Sequence, residues 1–252
     1  MPKSYPEWFN ISEEVSHEVC KYVGPAIDDC NLPAEYKFFP VQAYWFFINT
    51  LSIAHQANLD GLHANALANT RFCIECLSII ELGLCRVDGR IEQIESWKKG
   101  EASPGQLRKW SSQNLWEAYG KGLWDESWSD FAGQLARAVQ PYSHYTEALA
   151  QWQSKLHIFD VSSSKAVIEL GARVYDPQKA SRITLYHSLL WHYLARVYLG
   201  CGGKHNPAFY DLIDKHRRAL GASRFLDGHR TSWDQQFWAM LWDAKTGEPF
   251  HE

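Results

Sequence analysis

The chain has 252 residues, of which 46% are hydrophobic and 21% are charged, a composition typical of globular and not of disordered proteins. Its formal net charge of -4 argues against a broadly basic nucleic-acid-binding surface, although a local basic patch is compatible with it. Aromatic residues make up 14% of the chain and include 12 Trp, which favours a Trp-rich core over a cleft that stacks flat ligands.

Apolar residues recur with helical periodicity over almost the whole first half of the chain. The first helix is predicted to begin near residue 10, with Ser12 as its N-cap and an apolar stripe through Val15, Val19 and Val23. Residues 31–40 contain two prolines and are predicted to form a linker. Further helices are predicted at residues 41–57, 60–86, 90–100, 103–124 and 125–139.

The pattern changes after residue 154, where apolar and polar residues alternate before and after a Ser-rich turn. This alternation predicts a short β-hairpin within residues 155–172. Helical periodicity then resumes and predicts C-terminal helices over residues 177–244. The expected fold is therefore an all-α multi-helix bundle, organised as a single domain over residues 1–252.

The sequence also predicts where the protein resides and which cofactors it lacks. The N-terminus has no apolar segment of signal-peptide length, and no run of 18 apolar residues occurs, so we expect a cytoplasmic protein without membrane contact. The six cysteines are then expected to be reduced. Cys73 and Cys76 have no second cysteine pair to complete a zinc site, so they are expected to be core residues, and neither a metal nor a cofactor is predicted.

Arg71 and Glu75 form a candidate ion pair in the third predicted helix. They are four residues apart, which places them on one helix face, and their neighbours are apolar or small. We expect the pair to be partly buried and to fix the packing of the helix. In the alternative interpretation, Arg71 faces a cleft and binds an anion.

The stretch "LARAVQPYSHYTEALAQW", residues 135–152, interrupts a helical pattern with Pro141. Proline lacks an N–H, so the carbonyl of Arg137 loses its helical partner and the helix is expected to bend. Arg137 and His144 are seven residues apart, which in a helix keeps them on roughly one face. Either the two residues form a site with an exposed His144, or His144 packs and bonds a backbone group freed by the proline.

The segments "RFCIECLSIIELGL", "IESWKKG" and "QPYSHYTEALAQW" resemble the all-helical HEPN superfamily, in particular its abortive-infection-type and uncharacterised bacterial members. The resemblance covers residues 60–152 and implies a HEPN-like core at about residues 40–152. Members of that superfamily often carry an Arg-x4–6-His motif and cleave RNA without a metal where two motifs meet across a dimer. The resemblance therefore implies RNA or a nucleotide as partner and a homodimer.

Three pairs match this motif, which is short and recurs freely by chance. The matches are Arg137 with His144, Arg182 with His187, and Arg224 with His229, and only the first has the aromatic context "YSHYT".

The resemblance implies that His144 acts as general acid or base on the RNA 2′-hydroxyl and that Arg137 stabilises the phosphate. Tyr142 or Tyr145 would orient the imidazole or stack on a base. In this interpretation Arg71 and Glu75 would hold the site residues in position without contacting the substrate.

Two other functions agree with the same residues. In the first, the chain is a non-catalytic helical scaffold that binds a small ligand or nucleotide. In the second, it is an interaction protein whose exposed aromatic side chains bind a protein partner. The acidic net charge favours both, and so does Ala138, which stands where the superfamily carries a polar residue after the arginine. A basic groove around Arg137 and His144 would favour RNA.

Overall fold

A computed structural model describes residues 6–223 apart from 161, 164 and 172, together with residue 226. The described residues form these helices: α1 (Glu7–Asp28), α2 (Ala34–Leu59), α3 (His63–Leu84), α4 (Arg90–Lys98), α5 (Pro104–Asn114), α6 (Trp128–Val139), α7 (Glu147–Ala150), α8 (Pro177–Gly200) and α9 (Pro207–Gly221). Three short 3-10 helices cover Trp116–Tyr119, Gln140–Tyr142 and Gln151–Gln153. Two strands, β1 (Ser154–Asp160) and β2 (Lys165–Leu170), complete the fold.

The protein is an all-α multi-helix bundle, as the sequence predicts, and the predicted hairpin is present. β1 and β2 pair antiparallel, with Ser154 opposite Leu170 and Asp160 opposite Lys165. The predicted C-terminal helices are confirmed by α8 and α9, while the part of that prediction beyond residue 226 lies outside the described residues. No helix among the described residues combines the length and apolar character needed to cross a membrane.

The helices α3 and α8 form the centre of the main core. Both contain long runs of buried residues, and they pack on each other, on α1 and on α2. Several Trp side chains are buried in this core, as the composition favours: Trp8, Trp116, Trp128 and Trp152. An aromatic ring buries about 150–250 Å², so these side chains supply a large part of the apolar contact area.

Helix α1 begins earlier than the sequence predicts. It begins at Glu7, with Pro6 at the N-cap position, and Ser12 lies inside the helix, where its hydroxyl donates to the Trp8 carbonyl at 2.6 Å. The prediction of Ser12 as N-cap is therefore wrong. The reason is tertiary, because the buried residues Trp8 and Ile11 extend the apolar face of the helix beyond the polar segment that resembled its start.

The predicted linker at residues 31–40 is largely helical, since α2 begins at Ala34 and includes Pro40. Pro33 occupies the N-cap position, where a missing N–H matters little. The interior Pro40 packs against Gly83 of α3, and a methyl group at Gly83 would lie only 2.4 Å from the Pro40 Cβ. A glycine on the neighbouring helix thus provides the space for a proline that the sequence pattern assigned to a linker.

Candidate functional site at the Pro141 bend

The predicted bend at Pro141 is a complete break between two helices. Helix α6 ends at Val139, a 3-10 turn covers Gln140–Tyr142, and α7 begins at Glu147. The Arg137 carbonyl, which loses the N–H that a residue other than proline would provide, accepts from the N–H of Gln140 instead. The carbonyl freed by the proline therefore has a backbone partner and does not need a hydrogen bond from a histidine.

Two small side chains fix the turn that follows. The Thr146 hydroxyl donates to the Pro141 carbonyl at 2.8 Å, and the Ser143 hydroxyl donates to the Gln140 carbonyl at 2.9 Å. Thr146 also caps α7, because its hydroxyl accepts from the N–H of Leu149. The bend is held by local hydrogen bonds of the kind that Ser and Thr make in turns.

His144 and Arg137 are both exposed. The interpretation that His144 packs and bonds the backbone freed by Pro141 is therefore wrong. The expectation that both residues share one helix face also fails, since no helix continues from Arg137 to His144. The Arg137 side chain runs back along α6, where its Nη1 would lie 3.6 Å from a methyl group at Gly133. Both side chains are available to a ligand at the surface.

The two tyrosines of the bend have different surroundings. Tyr142 is buried, and its ring meets that of Trp152 edge to face with 6.0 Å between the centroids. Tyr145 is 77% exposed, and its hydroxyl donates to Gln153 at 3.4 Å. Tyr142 therefore anchors the bend in the core, whereas Tyr145 presents an aromatic face to solvent next to His144.

Arg71 and Glu75 form the ion pair that their spacing predicts, with 2.8 Å between Nη1 and Oε1. The Arg71 side chain is 8% exposed and that of Glu75 36%, so the pair is partly buried, as expected. Arg71 Nη2 also donates to the side-chain oxygen of Gln140 at 3.3 Å. This bond connects the pair on α3 to the Pro141 bend.

A second arginine, which the sequence analysis missed, joins this pair. Burial, and next the charge of Arg71, lower the pKa of Arg108 on α5, while Tyr193 and Glu75 oppose the shift. Arg108 Nη1 is buried and has no hydrogen-bond partner among the described residues. Nothing local marks Arg108, since only the packing of α5 on α3 brings it here. We call Arg71, Glu75, Arg108 and Gln140 the arginine cluster; its formal charge is positive, because it contains two guanidinium groups and one carboxylate.

The other two motif matches do not offer a comparable surface. Arg182 and His187 are both buried in α8, and His187 Nε2 lies 3.0 Å from the Thr70 hydroxyl. Burial lowers the pKa of His187 to about 3, so its ring is neutral at physiological pH and is closed off from solvent. Arg224 and His229 lie outside the described residues.

The described side chains thus place an exposed guanidinium near the end of α6 and an exposed imidazole in the turn that follows, and Gln140 connects this turn to the arginine cluster. The described part of the chain holds no group of three or more His, Cys, Asp or Glu residues arranged for a metal ion. Comparison of the chain with family models, curated proteins and solved structures finds no match in any of the three.

Proposed function

We propose that the Pro141 bend binds RNA and cleaves it without a metal ion, in a homodimer. The joint exposure of Arg137, at the end of α6, and His144, in the turn that Gln140 connects to the arginine cluster, carries this proposal. An imidazole exchanges protons near neutral pH, and a guanidinium binds phosphate through paired hydrogen bonds. The two chemical groups that transesterification of RNA requires are thus accessible in one short segment.

The proposed reaction is attack of the RNA 2′-hydroxyl on the adjacent phosphorus. His144 accepts the 2′-hydroxyl proton, the 2′-oxygen forms a bond to phosphorus, and the bond from phosphorus to the 5′-oxygen breaks. Arg137 stabilises the negative charge that develops on the phosphate oxygens. The second subunit supplies a second imidazole, which gives a proton to the departing 5′-oxygen.

The neighbouring residues bind the rest of the substrate. The positive charge of the arginine cluster attracts a flanking phosphate without direct contact, since the Arg71 side chain is only 8% exposed. Tyr145, with its exposed ring, stacks on an unpaired base. Single-stranded RNA is therefore the expected substrate, since its bases are free to leave the stack.

An exposed apolar stripe on α2 supports the homodimer. The stripe consists of Phe38, Trp45, Phe46 and Ile53, each more than half exposed. With about 150–250 Å² per aromatic ring, the exposed halves amount to roughly 300–400 Å², a substantial share of the about 800 Å² that each partner buries in a standard interface. No charged residue interrupts α2 between Phe38 and Ile53, so two copies of the stripe meet without charge repulsion.

The deciding experiment measures cleavage of labelled single-stranded RNA in the presence of a chelator. We expect His144→Ala and Arg137→Ala to abolish cleavage and to leave the melting temperature unchanged, because both side chains are exposed. His17→Ala, an exposed histidine on α1, is the matched control and should cleave normally. A wild-type protein that binds RNA without cleaving it would instead identify a non-catalytic scaffold.

A further inference from the structure

A second candidate site lies between the C-terminal ends of α1, α3 and α8. These ends surround a cavity of about 420 Å³, within the range of about 300–1,000 Å³ that small-molecule sites occupy. None of its lining residues belongs to the Pro141 bend or to the arginine cluster. The cavity is therefore a separate feature of the fold.

The cavity wall contains more cations than anions. Four basic side chains, Lys21, Arg86, Arg90 and Lys204, line it, and Asp29 is the one carboxylate in the lining. Lys21 pairs with Glu18 at 3.2 Å. For the other three cations, the described part of the chain provides no carboxylate within ion-pair distance.

Arg90 is the most informative of these cations, because it is only 9% exposed. Its two terminal nitrogens donate to the carbonyls of Cys85 and Asn31, which fixes the guanidinium in the wall. A guanidinium has five N–H donors, so these two bonds leave donors for another acceptor. Because Arg90 is bonded only to neutral carbonyls, its buried positive charge has no anionic partner, and an anion bound from solvent would compensate it.

The helix ends oppose this positive charge but do not cancel it. Each helix C-terminus carries a partial charge of roughly -0.5, so these three ends contribute about -1.5, while the N-terminus of α4, which begins at the lining residue Arg90, contributes about +0.5. With Lys21 counted as neutralised by Glu18, the other three cations and Asp29 leave a formal +2, and the balance is about +1. The cavity therefore retains a positive potential, and loss of any one of the three cations removes it.

Aromatic rings form another part of the wall. Tyr22 and Tyr198 both line the cavity, with 6.0 Å between their ring centroids. The Tyr198 hydroxyl donates to the Lys204 carbonyl, which ties the ring to the segment that carries one of the cations. Tyr198 is followed by the turn "GCGGK", residues 200–204, in which Gly202 has φ 76° and open space around its Cβ position. The sequence has no phosphate-loop spacing here, and the turn ends α8 instead of beginning a helix.

We propose that this cavity binds a small organic anion, a phosphate monoester that carries an aromatic ring. Its phosphate lies among Arg86, Arg90 and Lys204, and its ring packs against Tyr22 and Tyr198. This site is independent of the RNA-cleaving function proposed for the Pro141 bend.

Isothermal titration calorimetry with three compounds tests the assignment. AMP carries both the phosphate and the ring, adenosine lacks the phosphate, and inorganic phosphate lacks the ring. We expect AMP to bind more tightly than either of the others. Arg86→Glu and, separately, Lys204→Glu should weaken AMP binding about tenfold or more, because each removes a charge-assisted contact. Both side chains are exposed, so the variants should keep the wild-type melting temperature.

Arg137→Ala is the matched control and should bind AMP like the wild type, while Arg86→Glu should retain RNA cleavage if the bend cleaves RNA. If Arg137→Ala loses AMP binding and Arg86→Glu keeps it, the ligand binds at the Pro141 bend and the proposal is overturned. It is equally overturned if AMP fails to bind at low millimolar concentration, or binds no more tightly than adenosine or phosphate.

Discussion

Glu81 lies in the core with 2% of its surface exposed, and its protonation should control the pH dependence of stability. The indole N–H of Trp116 donates to its carboxyl oxygen at 2.9 Å. Burial raises the pKa of Glu81 to about 7, although hydrogen bonds from Ser111, Tyr119 and Trp116 oppose the shift. A raised pKa means that the folded state binds this proton more tightly than the unfolded chain does, whose carboxyl titrates near 4.5.

The stabilisation from this proton is fully present below pH 4.5 and is lost as the pH rises through about 7. Linkage between these two pKa values gives a loss of about 3 kcal/mol at pH 8. Glu81→Gln keeps an oxygen that accepts from Trp116 and cannot ionise. We therefore expect the variant to gain stability relative to the wild type by about 3 kcal/mol between pH 4 and pH 8.

Thermal unfolding followed by circular dichroism at several pH values measures this difference. At about 2–4 °C per kcal/mol, the melting temperature of Glu81→Gln should rise relative to that of the wild type by about 6–12 °C over this pH range. Other titrating groups cancel in the difference, and Glu117→Gln, an exposed glutamate, serves as control. A difference between Glu81→Gln and wild type that does not change with pH would refute the reasoning.

The remaining predictions concern stability. Burial lowers the pKa of four buried histidines below 6.5, so their contribution to stability is present above pH 6.5 and is lost as the pH falls toward 4. For the three whose pKa is lowered to about 3 or 4, the loss should be about 1 kcal/mol each at pH 5.5. The melting temperature should therefore fall as the pH drops from 6.5 to 4, and a constant value would contradict this expectation. The four histidines are His63, His187, His192 and His216. Glu75→Ala should cost about 1–2 kcal/mol in chemical denaturation, because Glu75 is a third exposed and Gln140 still accepts from Arg71, whereas Glu101→Ala at the surface should cost nothing. Gly83→Ala should cost about 1–3 kcal/mol, because its methyl group would overlap Pro40, while Gly105→Ala in α5 has room and should be neutral or stabilising.

The helices were predictable because their signals are local. The α3 pattern, the Ser103–Pro104 start of α5 and the Arg71–Glu75 pair all depend on residues within about one turn of each other. The helix predicted at residues 103–124 ends at Asn114, and a 3-10 turn follows it. The misplaced boundaries at Ser12 and at residues 31–40 depend on packing. A Pro in the helix interior and an N-terminal extension become favourable only when another helix or a buried face compensates for them.

The candidate site was predictable only in part, for the same reason. The residues of the bend stand out in the sequence, but the spacing argument for Arg137 and His144 assumed a helix that Pro141 ends. Arg108 reaches Arg71 only through the tertiary contact of α5 with α3. The basic cavity combines three helix ends that are distant in sequence, so no motif could reveal it.

Polar groups are also buried along the central helix α3, among them Thr70, Arg71 and Glu81. Glu81, near the C-terminal end of α3, influences the pKa of Tyr193, and so does Arg108 of the arginine cluster. On its other side Glu81 is bonded by Tyr119, whose hydroxyl lies 3.3 Å from Cys201 in the wall of the cavity. Polar groups thus continue from the Pro141 bend through the core to the cavity. A buried carboxyl group is expensive without partners, and the hydrogen bonds that Glu81 receives from Trp116 and Tyr119 reduce that cost.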